Sequence, residues 1–201
     1  MASYQTASQP QYSAKALEIM ARTNELLAVG GYSGFSYADI AELVNVKKAS
    51  IHYHFPAKAD LVKATVARHR EAMRRGLESL DQLAADPLER LVAYARHWAQ
   101  CIRESSPPIC ICALLAGEMP ALPSEVADEV RGHFSDLQAW LALTMEQGAS
   151  RGTVRLTDSV AAEASTFMAS IHGAMLGARV SGDAEAFWAI ARVATDRLRV
   201  E

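Results

Sequence analysis

Nothing in the 201 residues approaches the ~20 consecutive apolar side chains that a membrane-spanning helix needs. The polar start MASYQTASQPQYS lacks both the basic end and the apolar middle of a secretion signal, so a soluble, cytoplasmic protein is expected. Cysteine is scarce. Cys101, Cys110 and Cys112 form an odd, clustered set, which argues against a disulfide framework. A single Cys-x-Cys spacing without a second matching pair is poor evidence for zinc, so neither a metal nor a cofactor is expected. Strand signals are also missing: there is no sustained period-two alternation and no Asn-Gly or Asp-Gly hairpin turn. Glycine (11) and proline (7) are not enriched, and 50% of the residues are hydrophobic, which excludes a disordered chain.

The net charge of -3 argues against a protein that coats polyanions, although DNA contacts need only a local basic patch. Up to Asp60, the cations Lys15, Arg22, Lys47, Lys48 and Lys58 balance the acids Glu18, Glu25, Asp39, Glu42 and Asp60. Lys47, Lys48 and Lys58 fall in one short stretch together with His52 and His54. Basic charge is placed there, not spread.

Helical periodicity recurs along the whole chain and predicts an all-α protein of about nine helices. The first runs from about Ser13 to Val29 and stops at Gly30-Gly31, where glycine tolerates a left-handed exit. Ser36 followed by Asp39 resembles a capping arrangement for a short second helix, and Asn45 supplies a tight turn. A third helix covers about Lys48 to His54 and ends at Phe55-Pro56. From Lys58 a longer helix keeps an apolar face to Leu80, and Asp86-Pro87-Leu88-Glu89 starts another that ends before Pro107-Pro108. A short helix around Cys110 to Met119, bounded by Pro120 and Pro123, precedes a long one from Ser124 to about Ser150. The last two, about Ser159 to Ser181 and Asp183 to Arg199, meet at Gly182.

The informative segment is GYSGFSYADIAELVNVKKASIHYHFPAKADLV, Gly31 to Val62. Two short helices joined by a tight turn cannot bury a core of their own and must lean on the helices before and after them. A third helix that offers Lys47, Lys48, Ser50, Tyr53 and His54 has the inventory for DNA, with lysines for phosphates and hydroxyls or imidazole for phosphates or base edges. These residues carry a resemblance. Gly31-Tyr32, Ser36, Asp39-Ile40-Ala41, Tyr53-His54-Phe55 and Lys58 stand at the offsets of the TetR/AcrR-family DNA-binding domain, and the match spans about Ala14 to Ala67.

The resemblance implies a transcriptional regulator with a helix-turn-helix over residues 13–60, a loose tail over 1–12, and a ligand-binding and dimerisation domain over 61–201. It implies DNA contacts from Lys48, Ser50, Tyr53 and His54, with Ser36, Lys47 and His52 completing the DNA-facing set. Lys58 would grip a phosphate at a helix start, and Phe55 would plug the core. Three positions depart from the family pattern: Lys47 stands for the usual Ser or Thr, Ala49 for Gly and His52 for Tyr. Lys47 removes a good cap from the recognition helix while adding a cation.

For the remainder, the resemblance implies that the last two helices pair with their symmetry mates in a homodimer. Small residues such as Gly173 and Gly177, and apolar ones such as Leu176 and Ile190, are compatible with that. The expected function is a repressor released from a palindromic double-stranded operator by a small apolar effector. Candidate lining residues of its pocket are Trp98, Cys101, Met119, His133, Phe134, Trp140, Met168 and His172. Cys110 and Cys112 are candidate thiol sensors, because the segment looks like TetR relatives in which a Cys precedes a short helix near the pocket. Cys112 is placed ahead of Cys110. The remaining alternative is a helical enzyme using Cys112 or His172. No Ser/His/Asp order, glycine-rich phosphate loop or carboxylate pair supports it, so a non-enzyme is expected.

Overall fold

The computed structural model describes residues 12–104 and 109–200, and among them nine α-helices and one 3₁₀ turn. Helix α1 (Ala14–Gly30) is capped by Ser13, whose Oγ accepts the Ala16 N–H at 3.2 Å, and Gly31 ends it at φ 68°. Helix α2 (Tyr37–Val44) opens on a complete capping box: Ser36 Oγ accepts from Ala38 N at 3.1 Å, while Asp39 Oδ2 accepts from Ser36 N at 2.6 Å. Asn45 (φ 52°) makes the left-handed turn that sends the chain into α3 (Lys48–His54). Lys47 at the α3 N-cap makes no side-chain cap, as its replacement of Ser or Thr predicts.

The remaining helices are longer on average. They are α4 (Lys58–Leu83), α5 (Pro87–Glu104), α6 (Ile111–Gly117), α7 (Ser124–Arg151), α8 (Val160–Ser181) and α9 (Ala184–Asp196), with the 3₁₀ turn Met119–Ala121 between α6 and α7. The boundary expected at 60/61 falls inside the first turn of α4. Residues 1–11 of the expected tail, and the stretch 105–108 that holds Pro107-Pro108, lie outside the described residues. Tyr12 is described, and its ring packs 6.2 Å from that of Phe55.

The last helix stops at Asp196 and not near Arg199. Beyond it Val154 and Arg199 form one antiparallel bridge, and Arg155 N donates to Leu198 O at 2.8 Å. That backbone pairing ties the exit of α7 to the chain end and replaces a last turn of helix.

Ile19, Met20 and Leu27 of α1 close over Ile40, Ile51, Leu61 and Val62, so α2 and α3 borrow their core from the helices on either side. In the larger part, Leu91, Leu137, Leu141, Met145, Ile171 and Phe187 are fully buried across α5, α7, α8 and α9. Helices α4 and α7 are locked by charge: Arg70 Nε donates to Asp136 Oδ2 at 2.5 Å, and Arg74 Nε to the same oxygen at 2.8 Å. Gly132 belongs to this crossing, since a Cβ there would lie 2.1 Å from Arg70 Nη1.

Candidate nucleic-acid interface and internal cleft

The α2–α3 unit is held rigid from inside. Tyr37 Oη donates to the Phe55 carbonyl at 2.8 Å, bracing the start of α2 against the end of α3. Burial pushes the Tyr37 hydroxyl up to about 12, so it remains a donor at neutral pH. The His52 ring meets Tyr37 edge-on at 4.7 Å, with Nδ1 3.1 Å from the Pro56 carbonyl. His52 therefore works on the fold as well as standing at the surface. Nothing in residue order signals the bracing role of Tyr37, which depends on how two helices cross.

Outward from this brace, Lys47, Lys48 and Ala49 are exposed, Ser50 and His54 are half-buried, and Tyr53 is 84% exposed with its ring 5.1 Å from that of His54. Ser36 sits at the start of α2, and its hydroxyl is engaged in the cap and with Asp39 Oδ2 at 2.9 Å. Lys58 is engaged within the fold. Its ammonium donates to the Phe35 carbonyl and lies 4.0 Å over the Phe35 ring and 4.9 Å over the Tyr32 ring. Desolvation lowers its pKa, against the pull of Glu118 and Asp39. A phosphate has a rival for this lysine: the turn between α1 and α2.

That turn is also grasped by the rest of the molecule. Glu118, the C-cap of α6, accepts from Tyr32 N at 2.9 Å and Ser33 N at 3.3 Å. A Cβ on Gly31 would lie 1.8 Å from Glu118 Oε1, so the glycine is what lets the carboxylate in. Arg179 of α8 donates to the Ala28 and Val29 carbonyls at 2.8 and 2.6 Å, engaging the last turn of α1. Glu118, Arg179 and the continuous α4 all tie the first three helices to the remainder.

Between α1, α4 and α5 lies a cleft of about 1020 Å³. Trp98, Cys101 and His133 line it, together with Met20, Asn24, Arg68, His69, Met73, Tyr94 and His97. Among the described residues the indole N–H of Trp98 has no hydrogen-bond acceptor. The other expected lining residues lie elsewhere. Phe134, next to His133 on α7, is rotated away to pack its ring 5.2 Å from His172. Met168 is the residue whose carbonyl lies 3.0 Å from His172 Nδ1, and Trp140 donates its N–H outward to Asp81 at 3.1 Å. Met119 opens the 3₁₀ turn. Helical phase decides these placements: adjacent residues point about 100° apart, so His133 can face the cleft while Phe134 cannot. Missed from sequence was the large share of α1 in the wall, from Met20 to Val29.

Behind His69 and His133 sit two thiols. Cys110 and Cys112 are both fully buried, and Cys110 Sγ is 3.6 Å from His69 Nε2 and 3.6 Å from His133 Nε2. A hydrogen bond from Cys112, backed by His133, His172 and His69, lowers the Cys110 thiol well below its ordinary value against the cost of burial. Cys112 is pushed the other way by the same hydrogen bond and by burial. The Cys-x-Cys pair also does have companions of metal-ligand type; they come from α4 and α7 and not from a second pair nearby in sequence.

No curated protein matches the chain. A TetR-family transcriptional regulator from Agrobacterium tumefaciens is 45% identical and superposes with a TM-score of 0.92, covering 93% of this chain and 98% of that one. A TetR regulator from Legionella pneumophila (24% identity, TM-score 0.84) covers 94% of this chain and 100% of its own. The reduced form of NemR from E. coli (20% identity, TM-score 0.80) covers 92% and 98%. The last two show the fold alone. The model of bacterial regulatory proteins of the tetR family matches residues 19–65, and that of the tetracyclin repressor-like C-terminal domain matches 87–194. With both halves matched in order on one all-helical chain, this protein belongs to the TetR/AcrR family of transcriptional regulators.

Proposed function

We propose that the chain is a dimeric repressor that reads a palindromic operator through α3 and is released when a small, mainly apolar molecule occupies the cleft. Regulators of this family are DNA-binding proteins and generally not enzymes. The observation that carries the reading is the outward face of α3, where Lys47, Lys48 and Tyr53 stand in solvent while Tyr37 braces the helix from behind. On this reading Lys47 and Lys48 neutralise phosphates, and Ser50, Tyr53 and His54 reach phosphates or base edges. Residues 13–60 act as the reading unit and 61–201 as the sensing and pairing unit.

The cleft supports release because α1 forms one of its walls while α1 is also the platform under α2 and α3. An effector there would bear on both units. Trp98 Nε1 supplies one polar contact among apolar ones. A second reading, thiol sensing, is favoured by one observation: the buried Cys110 Sγ lies 3.6 Å from both His69 Nε2 and His133 Nε2.

The test is selection of bound genomic fragments followed by fluorescence anisotropy on the selected operator. Binding is expected to be sequence-selective and to weaken steeply with salt. Lys48→Ala with Tyr53→Ala should abolish it while the circular dichroism spectrum is unchanged. No selective complex, or full affinity in the double variant, rejects the reading. N-ethylmaleimide that frees DNA from the wild type but not from Cys110→Ser would favour the thiol over the apolar effector.

A further inference from the structure

Four groups that ligate metals converge behind the cleft. His69 comes from α4, Cys110 and Cys112 from the start of α6, and His133 from α7, and their ligand atoms all lie within 4.8 Å of one another. The spacing fits a shared centre. Bonds of about 2.05 Å to nitrogen and about 2.3 Å to sulfur, set tetrahedrally, separate the two atoms by roughly 3.6 Å. Both Cys110–His distances are 3.6 Å.

We propose that His69, Cys110, Cys112 and His133 form a tetrahedral site for a zinc-class dication in the inner wall of the cleft. Two nitrogens and two sulfurs in this arrangement suit a borderline-soft ion and disfavour magnesium or calcium, which take oxygen ligands. The charges also close. Two thiolates, two neutral imidazoles and a dication sum to zero, which a buried, largely apolar enclosure tolerates. Binding forms two metal–sulfur and two metal–nitrogen bonds and passes the two thiol protons to solvent, with no change of oxidation state. Four protein ligands leave no open position, so the ion would sense or stabilise and not catalyse.

The surroundings hold the ligands in place and admit the ion. His69 precedes Arg70 and His133 follows Gly132, so the Arg70–Asp136 lock sets α4 against α7 beside the site. His69 and His133 both line the cleft, which gives a route that requires no unfolding. His172, whose Nδ1 lies 3.0 Å from the Met168 carbonyl, is a further imidazole beside Cys110.

The full-length, reduced, chelator-treated chain is titrated with cobalt(II) as a spectroscopic probe and then with zinc(II). Expected are one equivalent per chain, the visible bands of tetrahedral cobalt, thiolate charge transfer in the near ultraviolet, and loss of both signals on adding zinc. Cys110→Ser with Cys112→Ser should erase the charge transfer, and His69→Gln, at a partly exposed position, should weaken zinc binding about tenfold or more. Only the weak spectrum of octahedral cobalt in the wild type, or undiminished zinc affinity in His69→Gln, overturns the proposal. If the double serine variant does not fold, the wild-type spectrum and His69→Gln decide. No readout involves DNA, so the site stands or falls apart from the repressor reading.

Discussion

Tyr37 and Glu118 show how single side chains hold α3 and the turn before α2 in place. Tyr37 contributes one hydrogen bond, to the carbonyl at the very end of α3, where helix carbonyls run out of partners. Tyr37→Phe keeps the ring and removes that bond, at an expected cost of about 0.5–1.5 kcal/mol. The urea midpoint should fall accordingly, and operator affinity should fall with it as α3 loses its brace. An unchanged midpoint would mean that the Phe55 carbonyl is served from elsewhere. Glu118 acts at longer range, since its carboxylate reaches the α1–α2 turn only because Gly31 presents no Cβ. Lys58 completes the same turn from the other side, its ammonium over the Phe35 ring.

Among the elements, the α4–α7 crossing carries the clearest dependence on pH. Burial alone would raise the Asp136 carboxyl, but hydrogen bonds from Arg70 and Arg74 win and lower it. Hydrogen bonds from Ser36 likewise lower Asp39, and those from Thr157 lower Glu163. A carboxylate more acidic in the folded chain than in the unfolded one stabilises the fold above its ordinary pKa. That contribution drains away as pH falls through the lowered folded value. Melting temperature should therefore drop as pH falls below the ordinary carboxylate range, and Asp136→Asn should flatten part of that acid limb while lowering stability at neutral pH. A parallel limb in the variant would assign the acid sensitivity to other groups.

Elements were readable from sequence wherever local chemistry marks an end. Ser36 with Asp39, Asp86 with Pro87, and Gly182 each act within one turn of chain and fall where expected. The sites were less readable because they depend on the rotation of one helix against another. Trp98, Cys101 and His133 share the cleft, but Phe134, one residue on, does not. The thiol–imidazole cluster joins Cys110 to residues 41 and 23 positions away, which no spacing rule for adjacent ligands detects.

At the scale of the whole molecule, α8 and α9 leave an apolar face outward. Leu176 and Val180 of α8 and Ile190 and Val193 of α9 are exposed, Val180 at 90%, and so are Gly173 and Gly177 of α8. We infer that a second copy covers this face, setting two α3 helices about one DNA turn, 34–36 Å, apart. Val180→Glu should shift the protein to a monomer in sedimentation velocity and weaken operator binding sharply, since each half-site would then be bound alone. A dimer that persists at micromolar concentration would place the pairing surface elsewhere. The cleft has its own bearing on how such molecules diversify. Because Met20, Asn24 and Ala28 of α1 form part of its wall, a hybrid carrying the first three helices of a relative would change ligand preference along with operator preference. On the proposed function, reader and sensor in this chain would not be interchangeable cassettes, and selection on either one would reshape the other.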